Sequence, residues 1–151
     1  KADFILPNLT EACLLLNEPY RPERYRTREA AAQLAQDLAA RFQCGVVLTG
    51  IGFSPEQTGA ACLAGPGDEP AFAFSQKVAR HYHGTGDLFA SVFVAAKMKG
   101  LEIGRCAQIA ADFVSDTIAR TVRDGTDERY GVNFEQGIPD LISRFQKEAL
   151  L

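Results

Sequence analysis

The sequence predicts an α/β fold in which helices flank a largely parallel sheet. Three features carry that expectation. A helical repeat over 27–42 leads through Gly45 into the β-branched run Val46-Val47-Leu48-Thr49, which is the pattern of a helix feeding a buried strand. Two strand-like runs, Gly59 to Ala64 and Ala71 to Ser75, flank the turn-forming Gly65-Pro66-Gly67-Asp68-Glu69-Pro70. Two long apolar-faced helices then fill the second half of the chain.

Taken in order, Asp3 to Leu6 reads as a short buried strand, ended by Pro7, which has no backbone donor. Thr10 to Leu16 reads as a short helix with Ala12, Leu15 and Leu16 inward. The proline-containing, charged stretch from Asn17 to Arg26 reads as surface loop, and Arg21, Glu23, Arg24, Arg26 and Arg28 as a solvated surface. Thr27 is an N-cap for a helix reaching Phe42, with Ala31, Leu34, Ala35, Leu38 and Phe42 on its apolar side and Gly45 as its stop. A strand over Val46–Thr49 closes at Gly50. Asp87 to Lys99 forms an apolar helix stopped by Gly100. A further helix from Ile103 to Arg123 places Ala107, Ala110, Ala111, Val114, Ile118 and Val122 on one face. A charged loop over 124–131 precedes a last short helix near Pro139 to Leu150.

Composition narrows the functional classes. With 151 residues, 46% apolar and 23% charged, the chain is sized for one globular domain with its own core. A net charge of −3 gives no basic field for nucleic acid or an anionic membrane, so an anionic ligand has to be held by local groups. The nearly apolar run Leu88 to Ala96 falls well short of the roughly 20 residues of a membrane span. No basic, apolar leader opens the sequence. Cys13, Cys44, Cys62 and Cys106 are widely spaced without a C-x-x-C pair, which suits buried reduced thiols of a cytoplasmic protein. The first residue is Lys1, the single methionine is Met98, and a strand begins almost at once. These features lead us to expect a piece of a longer protein.

Gly84-Thr85-Gly86-Asp87 is the segment with chemistry in it. A helix start leaves backbone N–H groups unpaired and partly positive. Two glycines let a ligand approach that backbone closely, and Thr85 adds a hydroxyl, so the segment can cradle phosphate oxygens. Asp87 at the positive end is placed to take a proton from an attacking alcohol, as phosphoryl transfer requires. Taken alone, the tetrapeptide is equally a glycine loop followed by an acidic helix start. His81 and His83 flank Tyr82 as an H-x-H pair, but with no third or fourth ligand in the pattern they read as loop histidines lining a cleft rather than a metal site.

Several segments together resemble pyridoxal kinases of the ribokinase-like superfamily. Ala2-Asp3-Phe4-Ile5-Leu6-Pro7-Asn8-Leu9-Thr10-Glu11-Ala12 is similar to that family's strand followed by P-N-x-x-E. Val46-Val47-Leu48-Thr49-Gly50 is similar to its phosphate-contacting strand, and Lys77-Val78 stands before Gly84-Thr85-Gly86-Asp87-Leu88-Phe89-Ala90 as in the approach to its anion hole. The likeness runs through all 151 residues but covers only the C-terminal half of a member. It implies a ribokinase-like fold, here the C-terminal nucleotide-binding and catalytic portion over 1–151, and transfer of phosphate from ATP to the 5′-hydroxyl of pyridoxal, pyridoxine or pyridoxamine.

By position, the resemblance makes Asp87 the catalytic base and the backbone of Gly84, Thr85 and Gly86 the anion hole. It assigns Asn8, Thr49 and Val78 to ATP, and Glu11 to Mg²⁺ through water. Leu6 stands where several members carry a threonine associated with a monovalent cation, which argues against a potassium or sodium requirement. Pyrimidine kinases of the superfamily often carry cysteine at the position of Asp87, and sugar kinases more often read Gly-Ala-Gly-Asp. Thr85-Gly86-Asp87-Leu88-Phe89 therefore favours the vitamin branch over a hydroxymethylpyrimidine or sugar kinase. The partners implied are ATP, a pyridoxal-type molecule and the missing N-terminal half, with a homodimer left open. A different class of reading is a non-catalytic nucleotide-binding fragment, and the isolated chain is expected to be inactive as a kinase.

Overall fold

The computed structural model describes residues 2–80 and 82–148 of the chain. Two compact units result, residues 1–75 and 76–151.

The first unit holds a four-stranded sheet in the order β1 (Phe4–Ile5), β2 (Gly45–Ile51), β3 (Gln57–Leu63), β4 (Ala71–Gln76). Two helices accompany it, α1 (Leu9–Leu16) and α2 (Arg28–Phe42). β1 and β2 run parallel, with Phe4 opposite Gly45 and Ile5 opposite Val46. β2 and β3 run antiparallel, with Val46 opposite Leu63. The sheet is thus mixed where the sequence suggested mostly parallel pairing. The link between β2 and β3 covers only 52–56, far too short for the dozen or more residues of a parallel crossover. β1 and β2, by contrast, are joined through both helices.

α2 begins where Thr27 predicts, its hydroxyl accepting the Ala30 N–H at 3.2 Å. Its inner side buries Ala31, Leu34, Ala35, Leu38 and Ala39 against Val46, Leu48, Ala61 and Leu63. The stop lies two residues earlier than Gly45: Gln43 takes the left-handed conformation (φ 53°) and its N–H closes on the Ala39 carbonyl. Gly45 instead opens β2, where a Cβ would collide with the Phe4 ring and come within 2.9 Å of the Ala64 carbonyl. In α1 Ala12 is buried and Leu16 packs against the core as predicted, but Leu15 is 40% exposed and Cys13 is buried in its stead. The predicted loop before α2 contains a short 3-10 turn over Pro22–Tyr25. Its Tyr25 is buried, donates to Glu18 Oε2 at 3.2 Å, and has its hydroxyl pushed up to about 12, chiefly by burial.

The second unit packs α3 (Thr85–Met98) along α4 (Ile103–Arg123) and adds α5 (Ile138–Glu148). α4 has the predicted bounds but not the predicted face. Ala107, Ala110 and Ala111 are buried; Val114 and Ile118 are half-buried, and Val122 is exposed. The buried line continues instead through Phe113, Thr117 and Thr121. Thr121 can sit inside because its hydroxyl donates to the Thr117 carbonyl at 2.8 Å and accepts the Asn133 N–H at 2.9 Å. Asn133 in turn donates to Asp124 and Thr126, gathering the loop that follows α4. α5 is held by buried Phe145, by Arg144 to Asp116 at 2.7 Å, and by Arg105 to Glu148, whose carboxyl that contact lowers.

Candidate active site

The residues singled out by sequence fall into two groups, one in each unit. In the second unit, Gly84 is the N-cap of α3, and Thr85, Gly86 and Asp87 form its first turn. The helix therefore starts two residues before the predicted Asp87. Gly84 has φ 82°, a conformation open to glycine and strained for other residues. A Cβ at either Gly84 or Gly86 would meet no atom within 4 Å. These glycines are thus not demanded by packing, and Gly84, Gly86 and Asp87 are all exposed.

Among the described residues no side chain caps this helix. The Thr85 hydroxyl points backward, donating to the Tyr82 carbonyl at 3.3 Å, and so does not fill the cap position. The N–H groups of the first turn accordingly face outward with the positive end of a helix of 14 residues behind them. Such a tip, carrying a carboxylate on its first turn, can bind phosphate oxygens through backbone donors and receive a proton from a neighbouring alcohol. Gly131 (φ 75°) lies beside this approach, its built Cβ position 3.8 Å from the His83 carbonyl. The suggested pairing of His81 with His83 lies partly outside the described residues, because His81 is not among them. Among the described residues no three His, Cys, Asp or Glu side chains cluster as a metal site.

In the first unit, Asn8, Glu11 and Thr49 come together. Asn8 forms a parallel bridge with Thr49, and the Thr49 N–H donates to the Pro7 carbonyl at 2.8 Å. Asn8 is also the N-cap of α1: its Oδ1 accepts the Glu11 N–H at 2.9 Å, and Glu11 Oε2 accepts the Asn8 N–H at 2.9 Å. This reciprocal capping box explains the N-x-x-E spacing without a ligand. It also leaves the Asn8 amide NH₂ and the second Glu11 oxygen without partners among the described residues, both on exposed side chains. Val78, in the second unit, follows β4 in a tight turn, its carbonyl accepting the Arg80 N–H at 2.8 Å, and is half-buried. The four cysteines are buried and free.

An α/β layer followed by a helix with a glycine-led, uncapped tip defines a ribokinase-like kinase fold. Solved structures agree. A Bacteroides thetaiotaomicron protein assigned as a phosphomethylpyrimidine kinase superposes with a TM-score of 0.85 over 93% of this chain at 28% identity. A second crystal form of that protein, with pyridoxal, gives 0.83 over 93% at 29% identity. Pyridoxal kinase from Lactobacillus plantarum gives 0.78 over 95% at 28% identity. This chain spans 48%, 49% and 50% of those three structures, about half their length. A comparison with proteins of curated function gave no match. The sequence pattern of the phosphomethylpyrimidine kinase family matches residues 1–132, and the chain belongs to that family.

Proposed function

We propose that this chain is the nucleotide-handling and proton-abstracting portion of a kinase that phosphorylates the 5′-hydroxyl of pyridoxal, pyridoxine or pyridoxamine from ATP. The observation that carries the reading is the exposed, uncapped tip of α3 with Asp87 on its first turn. Phosphoryl transfer needs positioning and charge stabilisation more than covalent help, and a helix tip supplies both. In this reading the Asp87 carboxylate takes the proton of the vitamin hydroxymethyl group as its oxygen attacks the terminal phosphorus of ATP, whose bond to the bridging oxygen breaks to release ADP. The backbone N–H groups of Gly84, Thr85 and Gly86 stabilise the negative charge on the moving phosphoryl group.

Asn8, Thr49 and Val78 serve the nucleotide. Asn8 has two amide protons to offer once its oxygen is committed to the helix cap, which suits phosphate oxygens. For Mg²⁺ the residues present fit a shared rather than a caged ion. Glu11 keeps one carboxylate oxygen free on an exposed side chain, and Mg²⁺ on a nucleotide commonly takes only one or two protein carboxylates, keeping its waters. Bound there, Mg²⁺ would neutralise phosphate charge, and Glu11 would reach it through water. A monovalent cation is not part of the proposal, since Leu6 offers no oxygen side chain.

Two findings support the vitamin substrate: the likeness to a pyridoxal kinase, and the presence of pyridoxal in a crystal form of the Bacteroides relative. The second reading is phosphorylation of a hydroxymethylpyrimidine, favoured by the description of the family itself. An assay of the complete protein against pyridoxal, a hydroxymethylpyrimidine and a simple sugar decides between them. We expect kcat/KM highest for pyridoxal; a clear preference for the pyrimidine would replace the substrate while leaving the kinase. The 151-residue chain by itself is expected to show little or no turnover, and measurable pyridoxal phosphorylation by it would refute the need for a further half.

A further inference from the structure

We infer that Asn133 is a positioning residue of the kinase: it closes a loop whose Gly131 is set against the peptide entering α3, and so fixes where the tip of that helix points. The inference deepens the reading above and rests on its placing the anion site at residues 84–86. Gly84 caps α3 at φ 82°. A glycine has no Cβ to restrict its torsions, so this cap does not hold its own conformation. Gly86 follows within the first turn, and His83, Gly84 and Gly86 are all exposed. Such a tip keeps its aim only if something outside the helix steadies the entering peptide. The stakes are high, since a shift of about 1 Å at a reacting group can cost about 10²-fold in rate.

One support is local: the Thr85 hydroxyl reaches back to the carbonyl of buried Tyr82 at 3.3 Å. The other comes from the loop after α4. The ideal Cβ position of Gly131 lies 3.8 Å from the His83 carbonyl, an ordinary van der Waals separation. Gly131 is half-buried with φ 75°, so backbone rests against backbone there. The outer residues of the loop cannot be what places Gly131. Asp127, Arg129 and Tyr130 are exposed, and an exposed ion pair such as Asp127–Arg129 contributes little.

The loop is instead closed at its base. The Asn133 side-chain amide donates to Asp124 Oδ2 at 3.1 Å and to Thr126 Oγ1 at 2.9 Å. Its backbone N–H donates to the buried Thr121 hydroxyl at 2.9 Å, and its carbonyl accepts from Arg120 Nη1 at 3.5 Å. The Thr126 N–H reaches the Thr121 carbonyl at 3.3 Å, so both ends of the segment 126–133 are tied to the last turns of α4. Beyond Asn133 the chain has no slack. A Cβ on buried Gly137 would come 2.9 Å from the Arg120 guanidinium and 3.0 Å from the Phe113 ring. The Asn133 amide therefore clasps one end of the loop to the other, and the clasp determines where Gly131 lies. This is the outer support that a glycine cap lacks by itself.

Steady-state kinetics and NMR of the complete protein, isotope-labelled at glycine, test the assignment. Asn133→Ala keeps the backbone bonds to Thr121 and Arg120 and loses the clasp on Asp124 and Thr126. We expect kcat to fall at least about 10-fold, with KM for ATP within about twofold of the parent, because the tip acts on the moving phosphoryl group. The amide signals of Gly84 and Gly86 should shift or broaden together with that of Gly131. Thr126→Val, a gentler change that removes one of the two acceptors, should move the same quantities in the same direction by less. Phe145→Leu, a core change on α5 outside this network, should lower the melting temperature yet leave kcat and the glycine signals in place. The reversed pair, Asp124→Asn with Asn133→Asp, exchanges donor for acceptor, rebuilds the clasp and should restore both readouts. Turnover in Asn133→Ala equal to that of Phe145→Leu, or Gly84 and Gly86 signals that do not move, overturns the positioning role. A reversed pair that regains thermal stability but neither turnover nor signals overturns it as well. The glycine signals are read without substrate, so a protein that phosphorylates a different alcohol would sink the substrate reading and leave this inference standing.

Discussion

The N-termini of α1 and α3 meet the same physical problem in opposite ways. Both helices begin with backbone N–H groups that the helix itself cannot satisfy. At α1, Asn8 and Glu11 satisfy them reciprocally, each side chain accepting the other's backbone N–H at 2.9 Å. At α3, a glycine in a left-handed conformation occupies the cap, no side chain among the described residues helps, and the Thr85 hydroxyl turns back to Tyr82. A cap is worth about 1 kcal/mol, so an exposed helix start without one forgoes readily available stability. The first arrangement serves the fold before any ligand arrives. The second leaves its donors available to a ligand, which is how strain and forgone stability come to mark functional positions.

The largest expected effect comes from Asp87, whose carboxylate makes no hydrogen bond or ion pair among the described residues. Asp87→Asn in the complete protein should lower kcat by about 10²-fold or more, the usual contribution of a general base, while ATP affinity holds. Near-normal turnover would remove Asp87 from the chemistry and leave it a helix-start residue like any other.

The two glycines sharpen the contrast further, because their structural roles differ. Gly84→Ala has room for its methyl group but not for its backbone, so it should lower stability by about 1–2 kcal/mol, the cost of a left-handed L-residue. Gly86 has no positive φ and an equally open Cβ position. Gly86→Ala should therefore leave stability unchanged or raise it by about 0.4–1 kcal/mol. If phosphate approaches that backbone, the same variant should lower turnover at least several-fold. A variant that is both more stable and fully active would show that nothing comes close to Gly86. Denaturant unfolding and steady-state kinetics on one preparation give both readouts.

How much of this was legible beforehand depended on how local the cause was. α4 was bounded correctly because its period persists from Ile103 to Arg123 and Gly100 ends the helix before it. Its lower face was misplaced because Thr117 and Thr121 look polar in a pattern, and only the loop at Asn133 reveals how the buried Thr121 hydroxyl is satisfied. α1 is eight residues with apolar side chains all round its second turn, so periodicity could not choose between Cys13 and Leu15. The start of α3 was read late because glycine is taken as a breaker, whereas Gly84 caps the helix and Gly86 lies inside its first turn. That residues 84–87 form a glycine-led helix start with an acidic first turn was legible since those four residues are contiguous. The bridge from Asn8 to Thr49 was not, since it exists only once β1 has paired with β2.

Asn8 tests whether the capped helix start also serves a ligand. Asn8→Ala loses the cap and should cost about 1 kcal/mol in stability. Asn8→Asp keeps an oxygen for the Glu11 N–H but replaces the two amide donors with charge. Stability should stay near the parent value while KM for ATP rises at least several-fold, from repulsion between carboxylate and phosphate. Unchanged KM in Asn8→Asp would confine Asn8 to capping and make the contrast with α3 complete.

Glu11→Gln should have the smallest effect and the most specific one. Glutamine still presents an oxygen to the Asn8 N–H, so the reciprocal cap survives, and only the attraction between a negative charge and the helix start is lost. That loss amounts to about 0.3–1 kcal/mol at an exposed site, and added salt should shrink it. If Glu11 also helps hold Mg²⁺ through water, turnover of the complete protein should need a several-fold higher Mg²⁺ concentration to reach half its maximum, with the maximum itself little changed. A kinase whose Mg²⁺ dependence is identical in parent and variant would place Glu11 wholly on the structural side. The free oxygen opposite its capping contact would then be ordinary solvated surface.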